Sequence, residues 1–192
     1  TITSIVSGSS PGVDANSPTV VVTSSDGSDG DTVSDTTLSF TATFSESTSN
    51  FVIGDITVTG TANSGTPVAS NFAGSGTTYT FDVVKGSSDG TVAVTIGSSV
   101  ATDAATNTNS ASNTYDFTID TTGPTSTASY TATTVNDGTS QTITITFGEA
   151  VTGTPTIALS GAKTVSATSM SGSGNTWTYS AGSSWTGDGT VT

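Results

Sequence analysis

The 192-residue chain has no cysteine and no histidine, and its only cationic side chains are Lys85 and Lys163. Each absence removes a chemistry. Without His or Cys there is no Ser-His-Asp triad, no thiolate nucleophile and no zinc site of the usual nitrogen–sulfur kind. Two cations against 15 acids leave a net charge of −13, so there is no basic groove for a phosphate backbone, and nucleic acid and anionic lipid are both repelled. No apolar run approaches the ~20 residues that a bilayer-spanning helix needs. No charged-then-apolar leader opens the sequence either, and the chain is expected to be a segment of a longer precursor.

What is present is mostly Ser, Thr, Gly and small apolar residues, with 31% hydrophobic content, 9% charged residues and a mean hydropathy of −0.01. Abundant β-branched residues with few charges favour a strand-rich fold over disorder. Period-2 alternation bounded by Gly, Asp, Asn or Ser predicts strands at 18–25, 37–45, 55–60, 77–84, 91–96 and 113–120. In the second of these, Leu38, Phe40, Ala42 and Phe44 share one face and Ser or Thr the other. No window carries a helical stripe. Strands about ten residues apart, separated by Gly-rich turns, indicate an antiparallel β-sandwich.

The pattern then repeats in the same order. Asp14-Ala-Asn-Ser-Pro18 returns as Asp120-Thr-Thr-Gly-Pro124, Phe44-Ser-Glu46 as Phe147-Gly-Glu149, AGSGTTYTF (73–81) as SGSGNTWTY (171–179), and Asp89-Gly-Thr-Val as Asp188-Gly-Thr-Val. Four landmarks in one order imply tandem domains of about one hundred residues each. The expected division is an end of a preceding domain, linker or donated strand at 1–17, a first sandwich at 18–120, a linker at 121–123, and a second sandwich at 124–192 that lacks its last strands.

The string FSE…ITVTG…NFAGSGTTYTFDV…DGTVAVTI…VATDAATNTNS…FTIDTTGPT resembles the bacterial immunoglobulin-like repeats of large secreted adhesins, biofilm proteins and surface-layer proteins. The resemblance spans nearly all of the first domain and the available part of the second. It implies an all-β fold of tandem antiparallel immunoglobulin-like sandwiches, an extracellular, cell-surface location, and a stalk, filament or surface-layer role.

In such a sandwich alternate loops collect at opposite poles. One pole then gathers Asp14, Glu46 and the 97–112 loop with Asp103, Asn107 and Asn109. The other gathers Asp26, Asp29 and Asp31 of the DGSDGD loop with Asp89 and Asp120, and the following domain adds Glu149. The only two glutamates therefore both fall beside a linker aspartate. Hard oxygen ligands with no cation nearby suit Ca²⁺, which takes six to eight oxygens in loose geometry, better than Mg²⁺. The expected metal ligands are Asp14, Glu46, Asp103, Asn107, Asp26, Asp29, Asp31, Asp120 and Glu149, in weak sites that stiffen domain junctions, as the resemblance also implies.

Plainer roles compete for the same residues. DGSDGD reads equally as an Asp/Gly turn, Asp14 and Asp120 as caps before a proline, and Asp89-Gly and Asp188-Gly as hairpin turns. Tyr79, Trp177 and Tyr179 alternate inward as core, Trp185 is placed for exposure, and Lys85 reads as an exposed strand-end cation. An aspartate-dyad hydrolase finds no paired acids in an apolar setting that would raise one pKa. The expected function is thus a non-catalytic structural repeat whose partners are neighbouring repeats or copies of itself; the missing strands of the second domain are expected to follow in the longer protein, the alternative being completion by residues 1–13 of a copy through strand addition. The alternative is a module that grips glycan or a surface protein through the 97–112 loop or Trp185.

Overall fold

A computed structural model describes residues 13–62, 68–86, 88–185 and 189–192. The chain divides into two compact units, Thr1–Thr122 and Gly123–Thr192. Unit 1 contains β1 (Val20–Ser24), β2 (Thr32–Val33), β3 (Thr37–Thr48), a single 3₁₀ turn (Ile53–Asp55), β4 (Ile56–Gly60), β5 (Ala69–Val84), β6 (Gly90–Ile96) and β7 (Tyr115–Ile119). One sheet is ordered β1-β3-β5 and the other β2-β7-β6-β4. This is the division of an immunoglobulin-type sandwich. The strand donation assigned to 1–13 falls on residues that, apart from Val13, lie outside those described, as does the Asp188 turn.

The core follows from the alternation. Val20, Val22, Leu38, Phe40, Ala42, Phe44, Phe81 and Val83 point inward from one sheet and meet Val92, Val94, Ile96, Phe117 and Ile119 from the other. Phe40 stacks on Phe81 with ring centroids 5.6 Å apart and lies 6.0 Å from both Tyr115 and Phe117. A second aromatic group joins Phe44, Phe51, Phe72 and Tyr79, closing the pole at which β3 ends.

Side chains also sew the sheets together. The Asn113 carboxamide accepts the Val22 N–H at 2.9 Å and donates to the Val22 carbonyl at 3.1 Å, acting as a one-residue strand partner for β1. Three features depart from the sequence expectation. β5 begins at Ala69, and β3 runs on to Thr48, where its pairing with β5 resumes at Thr48↔Gly76 after a register shift beyond Thr43↔Thr78. The acidic loop after β1 hides β2, which pairs in parallel with β7 and covers an edge that would otherwise be open. Lys85 is buried, 7% exposed, with its ammonium 3.6 Å from Asp89 and hydrogen-bonded to the Thr121 hydroxyl.

Unit 2 contains β8 (Ser126–Tyr130), β9 (Thr142–Phe147), β10 (Thr156–Leu159), β11 (Val165–Ser169), β12 (Ser171–Ser173) and β13 (Thr176–Ser180). Its main sheet is ordered β12-β13-β9-β8, and β10 pairs with β11. The registers match unit 1: Ala42↔Tyr79 and Phe40↔Phe81 return as Ile145↔Trp177 and Ile143↔Tyr179. Gly60, at φ 134°, is so close to the next strand that a Cβ would meet the Thr91 carbonyl oxygen at 2.0 Å; Gly161, at φ 88°, stands against Thr190 in the same way at 2.1 Å. Both positions require glycine sterically and conformationally.

Phe40→Ala removes the ring around which both sheets of unit 1 pack. It is expected to cost about 3–5 kcal/mol, read as a lower denaturant midpoint by circular dichroism; a loss below about 1 kcal/mol would show that the aromatic stack does not hold the sandwich.

Candidate metal centre

At one pole of unit 1 the chain brings three carboxylates together: one oxygen each from Asp14, Glu46 and Asp103, all within 4.8 Å of one another. Three distant segments meet here, each held by its own contacts. Glu46 sits in the irregular stretch of β3 between Thr43 and Thr48. Just before it, the Ser45 N–H donates to the Thr19 carbonyl and the Thr19 N–H donates to Ser45 Oγ, which fixes β3 to the segment leading in from Asp14. Asp103 is positioned by bridges of Thr102 to Ser49 and Thr108, by Asn50 Oδ1, which accepts from the Thr102 N–H and hydroxyl, and by the buried Asn109, which takes the Val100 and Ala101 N–H groups.

Asn107 ties the pole to the leading segment. Its amide nitrogen donates to Asp103 Oδ2 at 2.8 Å and to the Asp14 carbonyl at 3.2 Å, and its backbone N–H donates to Asp103 Oδ1 at 2.8 Å. Asp14 Oδ1 in turn accepts the Asn16 N–H at 3.0 Å. Asp103, only 5% exposed, is pushed up by burial, but the donors of Asn107, Ala105 and Thr106 outweigh this and hold it below its ordinary value, hence ionised. Glu46 moves the other way: burial first, then the charges of Asp14 and Asp103, raise its pKa. Among the described residues no donor reaches the Glu46 carboxylate, and both cations of the chain lie elsewhere, Lys85 on Asp89 and Lys163 at the Ser184 carbonyl and over the Trp185 ring.

The other expected ligands are not gathered into a cluster among the described residues. Asp26 accepts the Ser39 N–H at 2.6 Å, Asp31 the Ser28 N–H at 2.7 Å and Asp29 the Asp116 N–H at 2.8 Å. Asp31 thus closes a local turn, while Asp26 fixes the DGSDGD loop to β3 and Asp29 fixes it to β7. Asp120 Oδ1 accepts the Thr122 N–H at 3.0 Å, the same local turn that Asp14 makes. Glu149 is exposed in unit 2. Trp185 is half-buried, with its indole N–H on the Thr139 carbonyl at 2.8 Å, so it offers less open ring than its Gly-rich setting predicts.

One charged group has a larger role than its hairpin position suggests. Asp89 accepts from the Thr121 N–H at 2.8 Å and from the hydroxyls of Thr121 and Thr122 at 2.6 Å each, clasping the segment that follows β7. These hydrogen bonds, aided by Lys85, hold its carboxyl far below the usual range. The turn signal Asp-Gly is visible in sequence; its partners, 32 and 33 residues away, are not.

No protein-family profile matches the sequence, and no curated protein matches it. Among solved structures the chain is similar to FdeC, described as a broadly conserved Escherichia coli adhesin eliciting protection against urinary tract infections, with TM-score 0.46 and 16% identity over 90% of this chain and 58% of that one. It is also similar to the N-terminal part of the bacterial S-layer protein SbsC, with TM-score 0.38 and 14% identity over 93% of this chain and 43% of that one. The chain thus spans about half the length of these two structures.

Because the Asp89 pKa is depressed, the stability of its clasp is complete above the ordinary aspartate value of 3.8 and is lost only as pH falls through the lower folded value. The Thr121 amide resonance is therefore expected to stay unmoved from neutral pH down through 3.8 and to shift only in stronger acid. A midpoint at or above 3.8 would remove the clasp from the account.

Proposed function

We propose that this chain is a non-catalytic structural repeat of an extracellular surface protein, and that Ca²⁺ held by Asp14, Glu46 and Asp103, with Asn107 beside them, locks the leading linker onto the first sandwich. The observation that carries the reading is Glu46: an acidic side chain held next to two other carboxylates, its pKa raised, with no hydrogen-bond donor among the described residues. A divalent cation removes that repulsion. The donor set suits calcium, since carboxylate oxygens all within 4.8 Å fit around an ion whose ligands stand about 2.3–2.6 Å away. Bound there, the ion would join a linker residue, a strand residue and a loop residue, converting a hinge into a fixed joint. Tandem repetition, the Ser/Thr-rich surface and the net charge of −13 support a stalk, filament or surface layer in contact with neighbouring repeats. By the internal repeat, Asp120 and Glu149 correspond in sequence to Asp14 and Glu46.

Calcium at about ten times a Kd of roughly 10⁻⁴–10⁻³ M is expected to stabilise unit 1 by about 1.4 kcal/mol, a rise of several degrees in Tm that EDTA reverses. Glu46→Gln gives the sharper test. A raised carboxyl pKa means that ionisation opposes folding, a penalty that sets in as pH rises through the folded value and persists at neutral pH. The Gln variant is therefore expected to melt higher than the parent in EDTA and lower in saturating calcium. The same order in both conditions rules out a cation at this pole.

A further inference from the structure

We propose, resting on the reading of this chain as a structural repeat, that unit 1 carries tension along the chain through a shear clamp between the segment that enters its sandwich and the segment that leaves it.

The two segments lie side by side from one pole to the other. At the entry pole the Asn107 amide donates to the Asp14 carbonyl at 3.2 Å, and the Ser110 N–H donates to the Pro18 carbonyl at 2.9 Å. Midway, Asn113 bonds both the N–H and the carbonyl of Val22, and the buried Tyr115 donates its hydroxyl to the Gly27 carbonyl at 2.6 Å. Towards the exit, the Gly30 N–H donates to the Asp116 carbonyl at 2.8 Å, the Thr118 N–H to the Asp31 carbonyl at 3.0 Å and the Asp120 N–H to the Val33 carbonyl at 3.0 Å. Along this series the residue numbers of both segments rise together, so the segments run parallel. β2 and β7 are the stretch of it that pairs as strands, Thr32↔Thr118 and Val33↔Ile119.

That direction decides how the bonds respond to force. A chain under tension is drawn backward at Asp14 and forward at Thr122. Parallel neighbours pulled in opposite senses must slide lengthwise, and every bond between them is strained at once. An antiparallel pair opened from one end, such as β6 on β7, yields instead rung by rung. Neither segment can swing aside, because β1 is also paired with β3 from Val20 to Ser24 and β7 with β6 from Tyr115 to Ile119. Resistance to forced unfolding follows the unfolding rate rather than the equilibrium stability, so the placement of these bonds matters more than their number.

The chain has no native cysteine, which allows the whole of it to be tethered at chosen points in optical tweezers. Val13→Cys, at a position 95% exposed, with Gly123→Cys, where a side chain meets open space, pulls along the clamp. Thr91→Cys, at an exposed position, with Gly123→Cys opens β6 from β7 at one end. Unfolding in EDTA is expected to need a several-fold higher force in the first geometry than in the second. Tyr115→Phe removes one bond of the clamp and should raise the unfolding rate under load several-fold in the first geometry. Tyr79→Phe removes a buried phenol bond to the Thr48 carbonyl, outside the clamp, and should leave that rate unchanged. Equal forces in the two geometries, or equal effects of the two variants, would overturn the inference. EDTA keeps any cation out of the measurement, so failure of the clamp is distinguishable from failure of the calcium reading, which melting alone tests.

Discussion

Strict alternation along β3, held between β1 and β5, is the constraint on which the remainder of unit 1 depends. One face of that strand supplies Leu38, Phe40, Ala42 and Phe44 to the core. Because its partners lock the register at Val20↔Phe44 and Phe40↔Phe81, a slip of one residue would turn all four side chains to solvent. The same strand then breaks its pairing with β5, and Glu46 falls in the break. Core and candidate metal centre are therefore two consequences of one strand: regular pairing builds the first, and its interruption exposes the second.

Electrostatics at the two poles follow opposite designs. Asp89 meets hydroxyl and amide donors and a buried lysine, so its charge is satisfied within the protein. Asp103 is satisfied by Asn107 and its own loop. Glu46 meets other carboxylates instead, and its charge is costly wherever no cation compensates it. A protein with so few positive side chains cannot neutralise every acid internally, and one of the groups left over, Glu46, sits where a linker leads into the sandwich.

Much of the fold was legible. Strand positions follow from period-2 alternation, which is a local property, and the internal repeat is visible as Asp…Pro, Phe-x-Glu and Asp-Gly-Thr-Val landmarks. The assembly of Asp14, Glu46 and Asp103 was legible once loops were assigned to poles. The roles of Asp26, Asp29 and Asp31 were not, because an acid in a Gly-rich loop looks the same whether it faces a cation or the N–H of a strand 13 or 87 residues away. β2 was hidden for a related reason: two residues have no periodicity, and only the edge of β7 makes them a strand. Lys85 looked exposed because burial of a lone lysine depends on a partner, Asp89, whose place is set by the turn between β5 and β6.

By itself, the order of residues determined the class of fold, its repetition, the exclusion of thiolate and histidine chemistry, and the supply of oxygen ligands without cations, since all of these depend on composition and on spacing along the chain. Tertiary structure alone decided which carboxylates stand together and which are consumed by backbone donors. Those outcomes turn on distances of a few ångströms between segments many tens of residues apart, and only closure of the two sheets sets such distances.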